Sequence, residues 1–536
     1  MGVCKDCGIE VKGTFLRCFK CNQAFKLNPV EKQIEIKDVV PAFKPSKYQQ
    51  SIYEWVKDGE GNAIVQAVAG SGKTTTILEC GKLISKDAKS IFVAFNTAIA
   101  KELQTRLPSN IQARTLHSAG LSMFMANTNI RPKVEADKLK IIVKRVLNDR
   151  GLYFEDNDKK FGGLCGTLYK IVPLCKSFNI NYRDWGEVND VNLKMNLNCD
   201  LNDDLFGMII EVLDLCKNSI DVIDFDDMIW IPIINDFKTS TYDWVFVDET
   251  QDLNKVQFEL VKKLCNKNTR IIAVGDRRQS IYAFRGADIT SMDNFKDHFS
   301  ATELPLSICY RCPKSHIKLA KEIVPEIETF EQAQEGKVEE VCREKAEEIA
   351  EDGDLILCRT NAPLIQMAFA LIRADKKAVI RGRDIGKNLL KMINKYKATN
   401  LENLVEKIQK FKDLQNEKLV LIKQGKMDRR LKNTFLTNID CCDTIFAIAD
   451  NVESIQGIKD KIQEIFTDQI GGIVCSSVHK AKGLEANRIF ILNHDLMPHP
   501  MAETAEELEQ EYNIKYVALT RSKNEMYLIP TQEEDE

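Results

Sequence analysis

The chain has 536 residues, of which 44% are hydrophobic and 29% charged, and its formal net charge is −4. That length predicts three or four folding units with ordinary soluble cores, and the slight acidity excludes a surface that is basic throughout, so any nucleic-acid contact must be local. No apolar run approaches the ~18 residues that a membrane span needs. The start Met-Gly-Val-Cys-Lys-Asp carries no apolar signal region, and Asp6 stands where a myristoylation signal has Ser or Thr. A cytoplasmic location without membrane contact is expected, in the nucleoid or nucleus for a cellular protein and in the host cytoplasm for a viral one. Seventeen cysteines, mostly single within apolar segments, fit reduced thiols better than a disulfide framework.

Four of those cysteines open the chain as two pairs. Cys4-x-x-Cys7 and Cys18-x-x-Cys21 place two thiolate knuckles ten residues apart, a spacing that closes tetrahedrally on Zn²⁺. The segment resembles a zinc ribbon over residues 1–26, followed by a linker at 27–44. A module of that size has no core of its own, so the metal would supply its stability. Residues 1–48 hold nine Lys/Arg against five Asp/Glu, compatible with DNA or with an acidic protein partner.

Next comes Ala67-Val-Ala-Gly70-Ser71-Gly72-Lys73-Thr74-Thr75. An apolar run from Ala63 to Val68 enters a glycine-containing turn, and Lys73-Thr74 opens a helix, so backbone N–H groups and the helix N-terminus converge on one anion. Gly70 and Gly72 permit close backbone approach, Lys73 would reach the β- and γ-phosphates, and the Thr74 hydroxyl would ligate Mg²⁺. Ala67 stands where the phosphate-loop pattern begins with Gly. Downstream, Trp244 to Val247 reads as a buried strand that delivers Asp248 to the metal, with Glu249 beside it to orient an attacking water. Together the two halves indicate an ATP-driven enzyme.

Strands alternate with helical segments in the βαβ manner. The first group is Ala63 to Val68, Ser90 to Phe95, Tyr242 to Val247 and Arg270 to Val274; the second is Asp354 to Leu357, Lys377 to Ile380, Gly472 to Ser476, Arg488 to Leu492 and Glu525 to Ile529. The fold class is therefore α/β, with two parallel-sheet domains at 45–300 and 301–536. Stretches at about 119–220 and 387–470 lack strand rhythm and predict helical insertions, one per domain. Cys309-x-x-Cys312 and Cys441-Cys442 do not read as metal sites.

The order of motifs resembles the UvrD/Rep group of superfamily 1 DNA helicases over residues 45–530. Tyr48-Gln49-Gln50 is similar to its adenine-reading Q motif, and Ala94-Phe-Asn96 and Thr115-Leu-His117-Ser118 to its early DNA-contacting motifs. Asp224-Phe-Asp-Asp-Met is similar to the segment before the metal-binding strand. Val274-Gly-Asp-Arg-Arg-Gln279-Ser-Ile-Tyr282-Ala-Phe284-Arg285 is similar to the motif that couples ATP to DNA. Further on, Cys309-Tyr310-Arg311 resembles N-Y-R, Ser477-Val-His479-Lys-Ala-Lys482-Gly-Leu-Glu485 resembles T-x-H-x-x-K-G-L-E, and Tyr516-Val-Ala-Leu-Thr-Arg521 resembles Y-V-A-x-T-R. Arg278 departs from the family's acidic residue before Gln279, and Phe284 from its usual Trp.

The resemblance implies two RecA-like domains, hydrolysis of ATP with Mg²⁺, and a role for each matched residue. Gln49 and Tyr310 would bind adenine and Glu485 the ribose. Gln279 would sense the γ-phosphate, and Arg311 and Arg521 would act on it as arginine fingers from the second domain, so that hydrolysis follows cleft closure. Asn96, Thr115, His117, Tyr282, Phe284 and His479 would contact single-stranded DNA, the two aromatics by stacking on bases. Two functions fit. One is an ATP-dependent DNA helicase or single-strand translocase, moving 3′ to 5′ by family analogy, in replication, repair or recombination. The other is an ATP-gated nucleic-acid-binding factor that remodels complexes without unwinding. Residues 386–435 add a local excess, thirteen Lys/Arg against five Asp/Glu. It is either a solvated helical face or a contact for duplex through Lys407, Lys410, Lys423, Arg429 and Arg430.

Overall fold

The computed structural model describes residues 2–3, 10–11, 44–152, 159–195, 197, 199–281, 290–427, 431–467 and 471–531. Met1–Pro45 and Ser46–Glu536 are separate compact units. In the first, Gly2–Val3 pairs antiparallel with Glu10–Val11. Cys4, Cys7, Cys18 and Cys21 lie outside the described residues, as do Tyr282, Phe284, Arg429 and Arg430.

The second unit is built on two fully parallel sheets. The first has six strands in the spatial order Thr302–Leu306, Ala63–Ala67, Arg270–Gly275, Trp244–Val247, Ser90–Ala94, Ile111–Thr115. The other has seven, in the order Lys337–Glu340, Ser522–Ile529, Ala486–Leu492, Leu355–Cys358, Ile473–Ser477, Ala378–Arg381, Phe466–Thr467. The central strands are near-continuous apolar runs, as burial on both faces requires. Alternate residues divide between two cores: Ile91, Val93, Val245, Val247 and Ile271 face one layer, and Phe92, Phe246, Ile272 and Val274 the other. The same alternation splits Ile356 and Cys358 from Leu355 and Leu357 in the second sheet.

All nine expected strands form, with ends shifted by one to three residues. Four strands of these two sheets that sequence patterning does not mark are Ile111–Thr115, Thr302–Leu306, Lys337–Glu340 and the two-residue Phe466–Thr467. Because Thr302–Leu306 pairs with Ala63–Ala67, the first sheet continues past the boundary expected at 300/301. Pro305 within it lacks an N–H and is tolerated because the strand is an edge.

Both stretches expected to be helical insertions are helical. The first holds Leu116–Thr128, Lys138–Asp149, Lys159–Ser177, Trp185–Lys194 and Asp203–Asn218, together with a short strand Lys133–Val134 paired to Val222–Ile223. Its apolar side chains share one core with the first sheet, so it is a layer of that domain. A buried ion cluster fastens it: Lys138 and Lys176 donate to Asp227 at 2.6 and 2.8 Å, and Lys176 also meets Asp224 at 3.3 Å. The second insertion comprises Arg383–Lys395, Leu401–Lys423, Lys432–Ala449 and Ile455–Ile465. Among the described residues, no helix is long and apolar enough to cross a membrane, and all thirteen described cysteines are free.

Candidate active site

Strand Ala63–Ala67 ends at the turn that precedes helix Lys73–Leu83, and the turn requires glycine twice. Gly70 and Gly72 have φ of +65° and +79°, and a Cβ on Gly70 would lie 2.6 Å from Arg311 Cβ. The residues that could receive a nucleotide surround this turn. Ser71 Oγ is buried without a hydrogen-bond partner among the described residues, and a phosphate oxygen would satisfy it. Lys73 Nζ lies 3.2 Å from Glu249 Oε1. Burial would lower the Lys73 pKa, but Glu249, Asp276 and Asp248 outweigh it and raise it. Thr75 continues the helix, half-buried.

At the end of strand Trp244–Val247, Asp248 is buried and accepts from the Thr74 side chain, so the hydroxyl and carboxylate that would hold Mg²⁺ already touch. Burial, reinforced by Glu249, raises the Asp248 pKa; a divalent cation would reverse that. Glu249 behaves oppositely: burial alone would raise its pKa, and Lys73 and Lys482 hold it down as an anion. Its φ of +51° is unusual for a residue with a Cβ and aims the carboxylate at Lys73. Among the described residues, no group of three or more His, Cys, Asp or Glu side chains is arranged to hold a metal. A Mg²⁺ site of one carboxylate, one hydroxyl and substrate oxygens needs no such group.

Glu249, Gln251, Asp276 and Gln279 form one hydrogen-bonded chain. The Gln251 amide donates to Glu249, the Asp276 N–H donates to Gln251 Oε1 at 3.0 Å, and Gln279 Nε2 donates to Asp276 Oδ2 at 2.7 Å. Sequence gives no role to Gln251 or Asp276, although Asp276 sits inside the motif quoted from Val274 to Arg285 and Gln251 stands two residues after Glu249. The adenine side is equally built. Gln49 is buried, closes the capping box of helix Lys47–Asp58 with Ser46, and donates to Thr76 Oγ1 at 3.1 Å. Tyr310 Oη reaches Gln49 Oε1 at 3.4 Å, and its ring packs on Phe330 with centroids 5.0 Å apart.

The second sheet supplies the facing wall. Arg311 Nε pairs with Glu485 Oε2 at 2.7 Å, and Glu485 also meets Lys523, so Glu485 is engaged by two cations here. Arg521 is fully buried, and among the described residues its guanidinium donates to Val517 O, Leu484 O and Thr520 Oγ1 and has no ion-pair partner. Burial, with Arg311 beside it, pulls its pKa down to about 10. A buried guanidinium without a carboxylate is costly unless an anion meets it. Lys482 crosses the cleft to Asp252 Oδ2 at 2.6 Å and to Gln279 O at 2.7 Å, a contact that sequence reading did not anticipate.

Of the residues expected to meet DNA, Asn96, Thr115 and His117 sit at or just past the C-terminal ends of adjacent strands Ser90–Ala94 and Ile111–Thr115, where open parallel sheets place their sites. Asn96 and Thr115 cap the helices that follow, accepting from Ile99 N and Ser118 N. His117 is half-buried with its pKa lowered by burial, and its ring meets Phe225 edge-on with centroids 6.3 Å apart. Phe95 and Phe225 are more than half exposed, at 54% and 56%. They add aromatic surface that the sequence reading missed; an apolar residue within the acidic run Asp224–Asp227 was the available signal. His479 lies across the cleft in the turn after strand Ile473–Ser477.

Comparison with known proteins agrees with this geometry. The UvrD/REP helicase N-terminal domain model matches residues 48–300, and the UvrD-like helicase C-terminal domain model matches 209–533, more than half the chain. The chain is 26% identical to the probable DNA helicase II homolog of Mycoplasma capricolum, covering 86% of this chain and 81% of that one. It is 23% identical to F-box DNA helicase protein 1 of Schizosaccharomyces pombe, over 87% of this chain and 55% of the relative. With the ATP-dependent DNA helicase PcrA of Bacillus subtilis it shares 27% identity over 51% of this chain and 38% of the relative. The two domain models together run from residue 48 to residue 533 and so take in both the phosphate loop on one sheet and Arg521 beside the other, and the chain belongs to the UvrD/REP family of ATP-dependent DNA helicases.

Proposed function

We propose that this chain hydrolyses ATP to drive itself 3′ to 5′ along single-stranded DNA and to open duplex at a junction, in DNA replication, repair or recombination. The observation that carries this reading is Arg521. It is buried on the second sheet's side and has no ion-pair partner among the described residues, so a γ-phosphate bound at Lys73 is its natural partner only when the cleft is closed. Lys73 and Ser71 bind phosphate oxygens, Glu249 orients the water, and Gln279, Arg311 and Arg521 meet the transferred group. Mg²⁺, held by Thr74 and Asp248, supplies charge neutralisation between the phosphates when bound. Phe95, Asn96, Thr115, His117, Phe225 and His479 offer the contact surface for the single strand, with Tyr282 and Phe284 added from the sequence motif. The test pairs an ATPase assay with strand displacement on duplexes carrying a 3′ or a 5′ tail. Hydrolysis stimulated by single-stranded DNA, dependent on Mg²⁺ and lost in Glu249→Gln, with the 3′-tailed duplex opened, is the expected result. Hydrolysis without displacement would leave the non-unwinding remodelling factor in its place, and preference for the 5′ tail would reverse the polarity.

We also infer that Cys4, Cys7, Cys18 and Cys21 bind one Zn²⁺ in a module that docks on DNA or on an acidic protein. Their spacing supports this, as does the antiparallel pairing of Gly2–Val3 with Glu10–Val11 on either side of the first pair in sequence. Elemental analysis of metal-replete protein should find one zinc per chain, lost in Cys4→Ser/Cys7→Ser with ATPase retained; zinc-free protein would end the inference.

A further inference from the structure

Helix Ala505–Leu519 of the second sheet's domain lays one face on the loop that follows strand Arg270–Gly275. Glu509 pairs with Arg278 at 2.9 Å, Asn513 Nδ2 donates to Ser280 O at 3.4 Å, and Tyr516 Oη donates to Asp276 Oδ2 at 3.4 Å. Those positions are i, i+4 and i+7, a single helical stripe. Tyr516 reaches deepest. It is fully buried, and its oxygen also accepts the Ala69 N–H of the phosphate loop at 2.8 Å.

Through Asp276 that one hydroxyl joins the catalytic chain. Asp276 Oδ2 accepts from Gln279 Nε2, while the Asp276 N–H holds Gln251, whose amide holds Glu249. Phenylalanine would fill the same space among Val68, Ala69, Cys309 and Cys312, so packing does not require the hydroxyl. A desolvated hydroxyl is costly unless its proton and lone pair are both used. Here both are used by groups of the other sheet, and both bonds vanish if the cleft opens.

We propose that Tyr516 is a positioning residue for ATP hydrolysis: its hydroxyl is formed into the site only on closure, and through Asp276 it fixes Gln279 and Glu249 in their working orientation. It touches no reacting atom. The inference rests on the reading of this cleft as an ATPase site.

The test is Tyr516→Phe in the full chain, checked for wild-type elution and cooperative unfolding. The kcat for DNA-stimulated hydrolysis should fall at least about tenfold, since small misplacements of catalytic groups cost that much, with the KM for ATP changed less than about twofold. In Tyr516→Phe/Gln279→Ala the two losses should combine to clearly less than their product, because Tyr516 and Gln279 both act through Asp276. A wild-type kcat in Tyr516→Phe, or a fully additive double variant, would overturn the proposal. If the wild-type chain itself hydrolyses no ATP, the ATPase reading fails and small-angle scattering of the nucleotide-free proteins decides the latch. A larger radius of gyration in Tyr516→Phe supports the cross-cleft contact, and an unchanged radius rejects it.

Discussion

Arg278 Nη1 lies 2.9 Å from Glu509 Oε1, joining the loop after the first sheet's strand Arg270–Gly275 to a helix of the second sheet's domain. Where the family places an acid at 278, this chain has a base, and the acid comes from the opposite wall. Both side chains are partly exposed, which limits such a pair to ~1 kcal/mol. Arg278→Glu and Glu509→Arg should therefore each lower DNA-stimulated turnover about two- to fivefold, and the double exchange should restore it. Restoration is read from kcat at low ionic strength, where the pair is least screened; two additive losses would show that the contact does not contribute.

Arg521 makes a prediction in which stability and activity part. Removing a buried cation that meets no carboxylate among the described residues relieves desolvation, while under the proposed function it deletes the charge that meets the transferred phosphate. Arg521→Met should lose ~10³-fold or more in hydrolysis yet unfold, nucleotide-free, no lower than the wild type in a thermal melt. A clear fall in its midpoint would mean that the guanidinium holds the fold together.

Asp226 gives a pH dependence. Burial, against the pull of Lys176 and with Asp224 and Asp227 adding to it, pushes its carboxyl from an ordinary 3.8 to about 6. The folded state thus holds this proton more tightly than the unfolded chain. The stabilisation is complete below pH ~4 and lost as the pH rises through about 6. Asp226→Asn should melt a few degrees above the wild type at pH 7.5 and at the same temperature near pH 4. A pH-independent difference would indicate that its charge is not strained by the neighbouring cluster.

The basic stretch of the second insertion divides in the structure. Lys410 is paired to Glu406 one turn away and Lys407 donates to Tyr396 O, while Lys423 is exposed. Each phosphate neutralised on duplex adds ~0.9 to the salt slope of binding. Replacing Lys407, Lys410, Lys423, Arg429 and Arg430 with Gln should flatten the slope on a duplex–single-strand junction and spare a short single strand. An unchanged slope would assign the stretch to solvated surface.

Sequence alone determined the phosphate loop, Asp248-Glu249 and the interior strands, because each is local. Residues a few positions apart set the turn, and burial on both faces writes an apolar run such as Trp244–Val247. Edge strands carry no such mark: Ile111–Thr115, Thr302–Leu306 and Lys337–Glu340 each border a sheet, and half or more of the latter two is exposed, so their polar composition hid them. Likewise the motifs named Gln279, Arg311 and Arg521 as a set, but their partners could not be read from the chain. That Lys482 meets Asp252 across 230 positions, that Tyr516 meets Ala69 across 447, and that Arg521 meets no carboxylate among the described residues are decided when two sheets close on one cleft. Local periodicity fixes which face of an element is apolar, whereas which polar groups end up opposed depends on the packing of elements hundreds of residues apart.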